Sequence, residues 1–209
     1  FVDAFWTSLW LGTLSATLAV TITVPAALAI ARHRFPGRET IATLMQTPLM
    51  IPPAVLGIAF LRFFTITGIS GTFLGLVMSH VIIIMPYALR LALSASTSLD
   101  RQAEHAAASL GASAWATFRR VTLPMILPGV VSGWVLAFIT SFDEVTMTVF
   151  IASPRTTTLP VRLFMYIQDN IDPLVAAVSA GLIGLTAVGM VVLDRIYGLD
   201  RLLIGRGNQ

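Results

Sequence analysis

Of 209 residues, 56% are hydrophobic and 11% charged, with a mean hydropathy of +0.85; a soluble domain carries roughly 25% charged residues, so the composition is that of a membrane protein. Cysteine is absent, which excludes disulfides, thiol catalysis and cysteine-based metal sites. The formal charge is +3 and every basic residue is an arginine, but the arginines stand beside apolar runs and not in one block, which argues against a nucleic-acid-binding face.

The chain opens at Phe1 without a methionine, and Ala4 to Ala31 carries no charge. A spanning helix needs about 20 apolar residues, so a first span is expected over 8–31, with Trp6 and Trp10 as interfacial anchors. The arginine-rich connection "ARHRFPGRE" follows. A second span is expected over 41–62, interrupted by Pro48, Pro52 and Pro53. After a Thr/Gly/Ser turn (Thr65 to Thr72) comes a third over 73–92, which holds His80 and is expected to break at Pro86. Residues 93–122 are polar, and a fourth span is expected over 124–150. Asp169, Asp172 and Pro173 precede a fifth over 174–196, with Tyr197 as a further anchor. Gly129, Ser132, Gly133, Ser179, Gly181, Gly184 and Gly189 allow close helix approach.

Arginine placement orients these spans. Arg32, Arg34, Arg38, Arg90, Arg101, Arg119, Arg120, Arg195, Arg201 and Arg206 share one side if the chain enters from outside and ends inside; Arg62, Arg155 and Arg162 fall opposite. The C-terminus is therefore expected to be cytoplasmic, and a sixth span ahead of Phe1 would restore a cytoplasmic start.

The polar segment "EHAAASLGASAWATFRRVTLP", Glu104 to Pro124, lies on that arginine-rich side. Asp100 can cap a helix running to Leu110, and Gly111 suits the left-handed C′ position that ends one. Ser113 can cap a second helix through Arg120, with Pro124 starting the next span. Two short helices hinged at a glycine make a knob able to dock a partner, set against a plain connecting loop. Trp115 within it can pack beneath the bundle or meet that partner.

This stretch resembles the signature loop of binding-protein-dependent ABC importer permeases: Glu-Ala-Ala, three residues, Gly, nine residues, Ile, one residue, Leu-Pro. The matching positions are His105, Ala106, Ala107, Gly111, Val121, Leu123 and Pro124. His105 stands where the family has Glu, and Glu104, one position earlier, points about 100° away on a helix. "TPLMIPPAVLGIAF", "SHVIIIMPYALRLALSA" and "SFDEVTMTVFIASPRTTTLPVRLF" extend the likeness over nearly the whole chain, and it is greatest to the spermidine/putrescine-type permeases.

The resemblance implies an all-α type I ABC importer permease bundle, one transmembrane domain over 1–209 with a cytoplasmic coupling loop at about 93–122. It implies a multi-pass protein of the bacterial cytoplasmic (inner) membrane. Its implied partners are a second permease subunit forming a heterodimer, two ATPase subunits that hold ATP and Mg, and an external solute-binding protein. The coupling residues are then Glu104, His105, Ala106, Ala107, Gly111, Ala112, Ser113 and Pro124. The solute would be a polyamine or a related small organic molecule. The chain has no Gly-rich phosphate loop, so it is not expected to hydrolyse ATP or to bind a cofactor or metal itself.

Asp143 and Glu144 are expected inside the fourth helix, Asp143 about 28 Å along it from Pro124. A charge at mid-membrane costs roughly 2.5–3.5 kcal/mol, so the pair calls for water, a shallow position or a partner such as Arg62 or Arg162. Asp143, Glu144 and His80 are the candidate solute-path residues, set against structural anchoring for the carboxylates and hydrogen bonding within the bundle for His80. Outside this family, the alternative is a secondary transporter with its own coupling ion.

Overall fold

The computed structural model describes residues 1–169 and 173–197, the side chains at 169, 173–176, 190, 193, 194, 196 and 197 excepted. Asp172, Arg201 and Arg206 lie outside the described residues, as do the side chains of Asp169, Pro173 and Tyr197. Two compact units are present, Phe1–Val161 and Arg162–Gln209.

The first unit is all helical in its regular structure. Helix α1 (Val2–Arg32) stops where His33 turns to extended backbone ahead of Phe35-Pro36. Helix α2 (Arg38–Gln46) starts behind Gly37 at φ 84° and runs into a 3₁₀ turn (Thr47–Met50). Pro52 and Pro53 then open α3 (Pro53–Thr67). Pro53 at the first helical position needs no N–H partner and cannot continue the preceding helix. The two pieces therefore meet at a 104° bend, so the second expected span is not one straight helix. Gly68, at φ 77°, ends α3, and Thr72 caps α4 (Phe73–Thr97) by accepting from the Gly75 amide at 3.2 Å.

Pro86 does not break the third span as expected: it is buried inside an unbroken α4. A proline is tolerated there because the packed neighbours of a bundle hold the helix together across the missing hydrogen bond. Beyond the knob helices α5 (Gln102–Ser109) and α6 (Ala114–Thr117), a π turn (Phe118–Thr122) leads without a stop into α7 (Leu123–Phe142). The second knob helix therefore does not end at Arg120, and Pro124 does not begin a separate helix. The amide of Leu123 reaches back to the Phe118 carbonyl, five residues away, and this wider turn absorbs the proline that follows. Helix α7 ends at Phe142, well short of residue 150, and the one-turn α8 (Thr148–Ile151) comes after a break.

Helices α1, α4 and α7 form the core of this unit. Leu11, Ala16 and Ala19 pack with Leu76, Val81, Ile84 and Ala137; further along, Val24, Ala27 and Ile30 pack with Leu89, Ala92 and Ile126. Numbers rise together in α1 and α4 and fall in α7, so α7 runs antiparallel to the other two. Small residues set the spacing: a Cβ on Gly129 would stand 2.4 Å from the Ala95 Cβ, and one on Gly133 3.4 Å from the Ala88 carbonyl oxygen. In lipid, close packing of this kind supplies the attraction between helices. Trp134 Nε1 adds a hydrogen bond across to Thr17 at 3.0 Å.

Helix α9 (Leu159–Asp169) crosses from the first unit into the second, which carries α10 (Pro173–Tyr197), apolar and free of charge from Ala177 to Gly189. Helices α1 and α4, and the continuous helix Ala114–Phe142, are each long and apolar enough to cross a membrane, and the bent α2–α3 pair makes a fourth span if taken as one.

Candidate functional site

The antiparallel run of α7 brings two polar clusters to opposite ends of the three-helix core. At the end where α1 stops and α7 starts lies the knob. Helix α5 follows Asp100, whose Oδ1 accepts from the Gln102 amide at 2.9 Å. It ends at Leu110, and Gly111 sits at φ 83°, the left-handed region that favours glycine. Nothing lies within 4 Å of where its Cβ would be, so this glycine is required by backbone conformation alone. Ser113 then caps α6, accepting from the Ala116 amide at 3.3 Å.

One acidic side chain of the knob is turned in and two large apolar ones are turned out, while Asp100, Arg101, Arg119 and Arg120 are exposed. Glu104 faces inward, its Oε1 2.7 Å from Arg32 Nη2 in an ion pair not aligned as a hydrogen bond, and it accepts from the Thr122 hydroxyl. Arg101 donates to the carbonyls of Ala31 and Arg32 at 3.3 and 3.5 Å, groups at the free end of α1. Meanwhile Leu110 is 89% and Trp115 67% exposed, with Ala106 and Ala108 also outward. Ala107 and Ala112 are half-buried, while His105, Gly111, Ser113 and Pro124 are exposed. Trp115 does not pack beneath the bundle; its ring lies against Phe118, centroids 5.5 Å apart. Arg32 and Arg101 were not legible as site residues, because they meet Glu104 and α1 only through the fold.

At the opposite end, Asp143 and Glu144 do not lie within a helix. Asp143 is the C-cap of α7, and Glu144 stands in the break before α8. The two carboxylates have different surroundings. Glu144 accepts from the amides of Met147 and Thr148 at 2.8 Å each and from the Thr148 hydroxyl at 2.6 Å, so it caps α8. Asp143 is exposed and makes no side-chain hydrogen bond among the described residues. Among the described residues the ion pair within 4 Å is Arg32–Glu104, so Arg62 does not neutralise either carboxylate.

His80 is wholly buried between α4, α7 and α8, its Nδ1 2.8 Å from Ser141 Oγ and its Nε2 3.0 Å from Thr148 Oγ1. Thr148 has one hydroxyl proton and directs it at Glu144, so His80 Nε2 is the donor to Thr148. Nδ1 lies within hydrogen-bond distance of Ser141 Oγ on the other side of the ring. Ser141, His80, Thr148 and Glu144 form one hydrogen-bonded chain. Ser141 and Thr148 carried no sequence signal beyond being polar.

Among the described residues no group of three or more His, Asp or Glu side chains is set to hold a metal. An open apolar groove of about 590 Å³ is lined by Trp6, Trp10, Leu14, Phe73 and the threonines Thr7, Thr13 and Thr17. Its lining carries no charged side chain.

Comparison with known proteins fits this architecture. The spermidine/putrescine transport system permease of Haemophilus influenzae is 33% identical over 182 residues, covering 87% of this chain and 70% of the relative. A probable molybdenum ABC transporter permease of Haloferax volcanii is also 33% identical, over 198 residues covering 90% and 72%. A solved structure of the MetNI methionine ABC transporter, in inward-facing conformations, shares the fold with a TM-score of 0.77 at 20% identity, covering 95% of this chain and 94% of that one. Residues 19–199 match the family of binding-protein-dependent transport system inner membrane components, and the chain belongs to that family: it is a permease subunit of an ABC importer, in which separate subunits hydrolyse ATP.

Proposed function

We propose that this chain forms half of the transmembrane path of a polyamine importer and that the knob from Asp100 to Arg120 is the surface on which a cytoplasmic ATPase docks. The observation that carries the docking reading is the sorting of side chains around Gly111. Glu104 turns inward to α1 and α7 and Arg101 reaches back to α1, while Leu110 and Trp115 are left exposed at the tip beside the exposed Arg119 and Arg120. An aromatic and an aliphatic anchor beside small residues suit the centre of a protein interface. The arginines clustered at this end support a cytoplasmic side for the knob, and Arg195, Arg201 and Arg206 in the sequence support the same side for the C-terminus. A second permease subunit completes the path, an external solute-binding protein delivers the load, and the ATPase holds ATP and Mg.

The polyamine reading draws support from the relative in Haemophilus influenzae and from Asp143, a free carboxylate at the end of α7 opposite the knob. A carboxylate beside low-dielectric walls attracts cations. The relative named for molybdenum makes the solute a matter for direct measurement. The test is reconstitution of the whole complex in vesicles. Leu110→Asp is expected to cut ATPase copurification roughly tenfold, and wild-type complex is expected to import spermidine with ATP. ATPase retained at the wild-type level by Leu110→Asp sinks the docking reading. Import of molybdate in place of spermidine sinks the polyamine reading.

A further inference from the structure

Helix α5 has no buried residue, so no apolar core holds it to the bundle. What holds it is polar. Arg101, just ahead of its first turn, donates to two carbonyls at the end of α1. Glu104, in that first turn, meets Arg32 in the last turn of α1 at 2.7 Å and the hydroxyl of Thr122 in the π turn that opens α7. The side chains of Arg32 and Glu104 are 20% and 16% exposed, so the pair is largely sheltered from water and salt. The residues beside Glu104 on the outward surface, His105, Ala106, Ala108 and Ser109, are exposed and reach neither α1 nor α7 through a side-chain hydrogen bond among the described residues.

We propose that Glu104 is a strut that fastens α5 to α1 and α7 at once, so that displacement of the knob moves both spans together, and that it is a positioning residue with no part in contacting the ATPase. The proposal rests on the reading of the knob as the ATPase docking surface. Its physical basis is that coupling between distant sites needs a rigid connection with discrete arrangements. An exposed helix tethered only by its flanking loops would yield under load, whereas a three-point polar junction transmits it. Arg32 is suited to the inner seat because a cation in the last turn of a helix faces the negative end of the helix dipole. Thr122 is suited because it is buried and its hydroxyl needs an acceptor that the π turn does not supply.

The experiment uses the whole complex in vesicles, with Arg32→Glu, Glu104→Arg, the double swap and Glu104→Gln, beside Leu110→Asp as the docking control. Three quantities are read: ATPase copurified, ATP hydrolysis without the solute-binding protein, and the stimulation of hydrolysis by the solute-binding protein purified with its native load. The single variants are expected to retain the ATPase as wild type does while stimulation falls roughly fivefold, and the double swap to restore the part that rests on the ion pair, since an arginine at position 104 offers Thr122 no acceptor. Glu104→Gln keeps the side-chain size and an acceptor for Thr122, and serves if a charge reversal fails to assemble. ATPase loss in Glu104→Gln equal to that in Leu110→Asp makes Glu104 a docking residue and overturns the strut. Stimulation unchanged in every single variant, or no recovery in the double swap, overturns it as well. If Leu110→Asp keeps its ATPase, it is the docking reading beneath the proposal that fails, an outcome separate from these.

Discussion

The two ends of α7 keep charge beside an apolar bundle in opposite ways. At the knob, Arg32, Arg101 and Glu104 turn toward the bundle and Leu110 and Trp115 turn away from it. At the far end, Glu144 is fully engaged with backbone amides and Thr148 while Asp143 stays exposed. The residue left free differs in kind. An exposed leucine and tryptophan on a small polar knob point to a protein that covers them; an exposed carboxylate points to water or a cation. What a partner needs can thus be inferred from what the fold leaves unsatisfied at each end, even where both ends are equally rich in polar residues.

The strongest break in this comparison comes from Glu144. Glu144→Ala removes the acceptor of two amides and of the buried Thr148 hydroxyl, which also orders His80. Leaving buried donors without a partner costs about 1–3 kcal/mol each, so a loss of about 3 kcal/mol is expected. Thermal unfolding of the complex in detergent checks it, with Asp143→Ala as the control that leaves the midpoint in place. Equal losses for the two would erase the distinction between an engaged and a free carboxylate.

Gly111 offers the next largest effect. A non-glycine residue in the left-handed region costs roughly 1–2 kcal/mol, and a β-branched one more. No neighbour would clash with a Cβ here, so the penalty is conformational. Gly111→Val is expected to lower ATPase copurification about tenfold and Gly111→Asn by much less, since Asn tolerates positive φ. Equal effects from Val and Asn would show that the side chain, not the hinge, matters.

Much of this was legible in the sequence because hydrophobicity and glycine act locally. Charge-free runs gave the first, third and fourth spans, the fourth with its end placed too late, and Gly111 and Ser113 gave the two ends of the knob hinge. Other features depend on contacts no run of residues displays. Pro52-Pro53 announced an interruption, but the 104° bend reflects how two short helices are seated. The exit of Asp143 from α7 has no glycine or proline to mark it. The nearest local signal is Glu144 itself, three and four residues ahead of the amides it accepts from, the spacing of a side chain that starts a helix. Arg32 and Glu104 are 72 positions apart and meet because the end of α1 and the start of α7 meet.

Asp143→Asn sharpens the far end. If this carboxylate faces the solute path, spermidine uptake is expected to fall roughly fivefold with assembly and thermal midpoint unchanged, and the deficit to shrink as salt screens the carboxylate. Wild-type uptake by Asp143→Asn would remove it from the path and leave the far end purely structural.

The smallest effect is expected at His105, where the family has Glu. Its side chain is exposed and makes no hydrogen bond among the described residues, while its carbonyl accepts from Ser109 whatever side chain stands there. His105→Ala should also be neutral for α5 itself, since alanine is the better helix former by a few tenths of a kcal/mol. Copurified ATPase and ATP-driven uptake are therefore expected to change less than about twofold, within the ±0.5 kcal/mol usual for a surface substitution. His105→Glu separates two ways this small effect could arise. If docking at the tip rests on Leu110 and Trp115, the added carboxylate leaves ATPase retention as it was. If the ATPase presents a cation at this position, retention becomes stronger and more sensitive to salt. Loss of the ATPase in His105→Ala with Leu110 and Trp115 intact would reverse the comparison between the two ends, because the knob too would then act through a polar group left exposed.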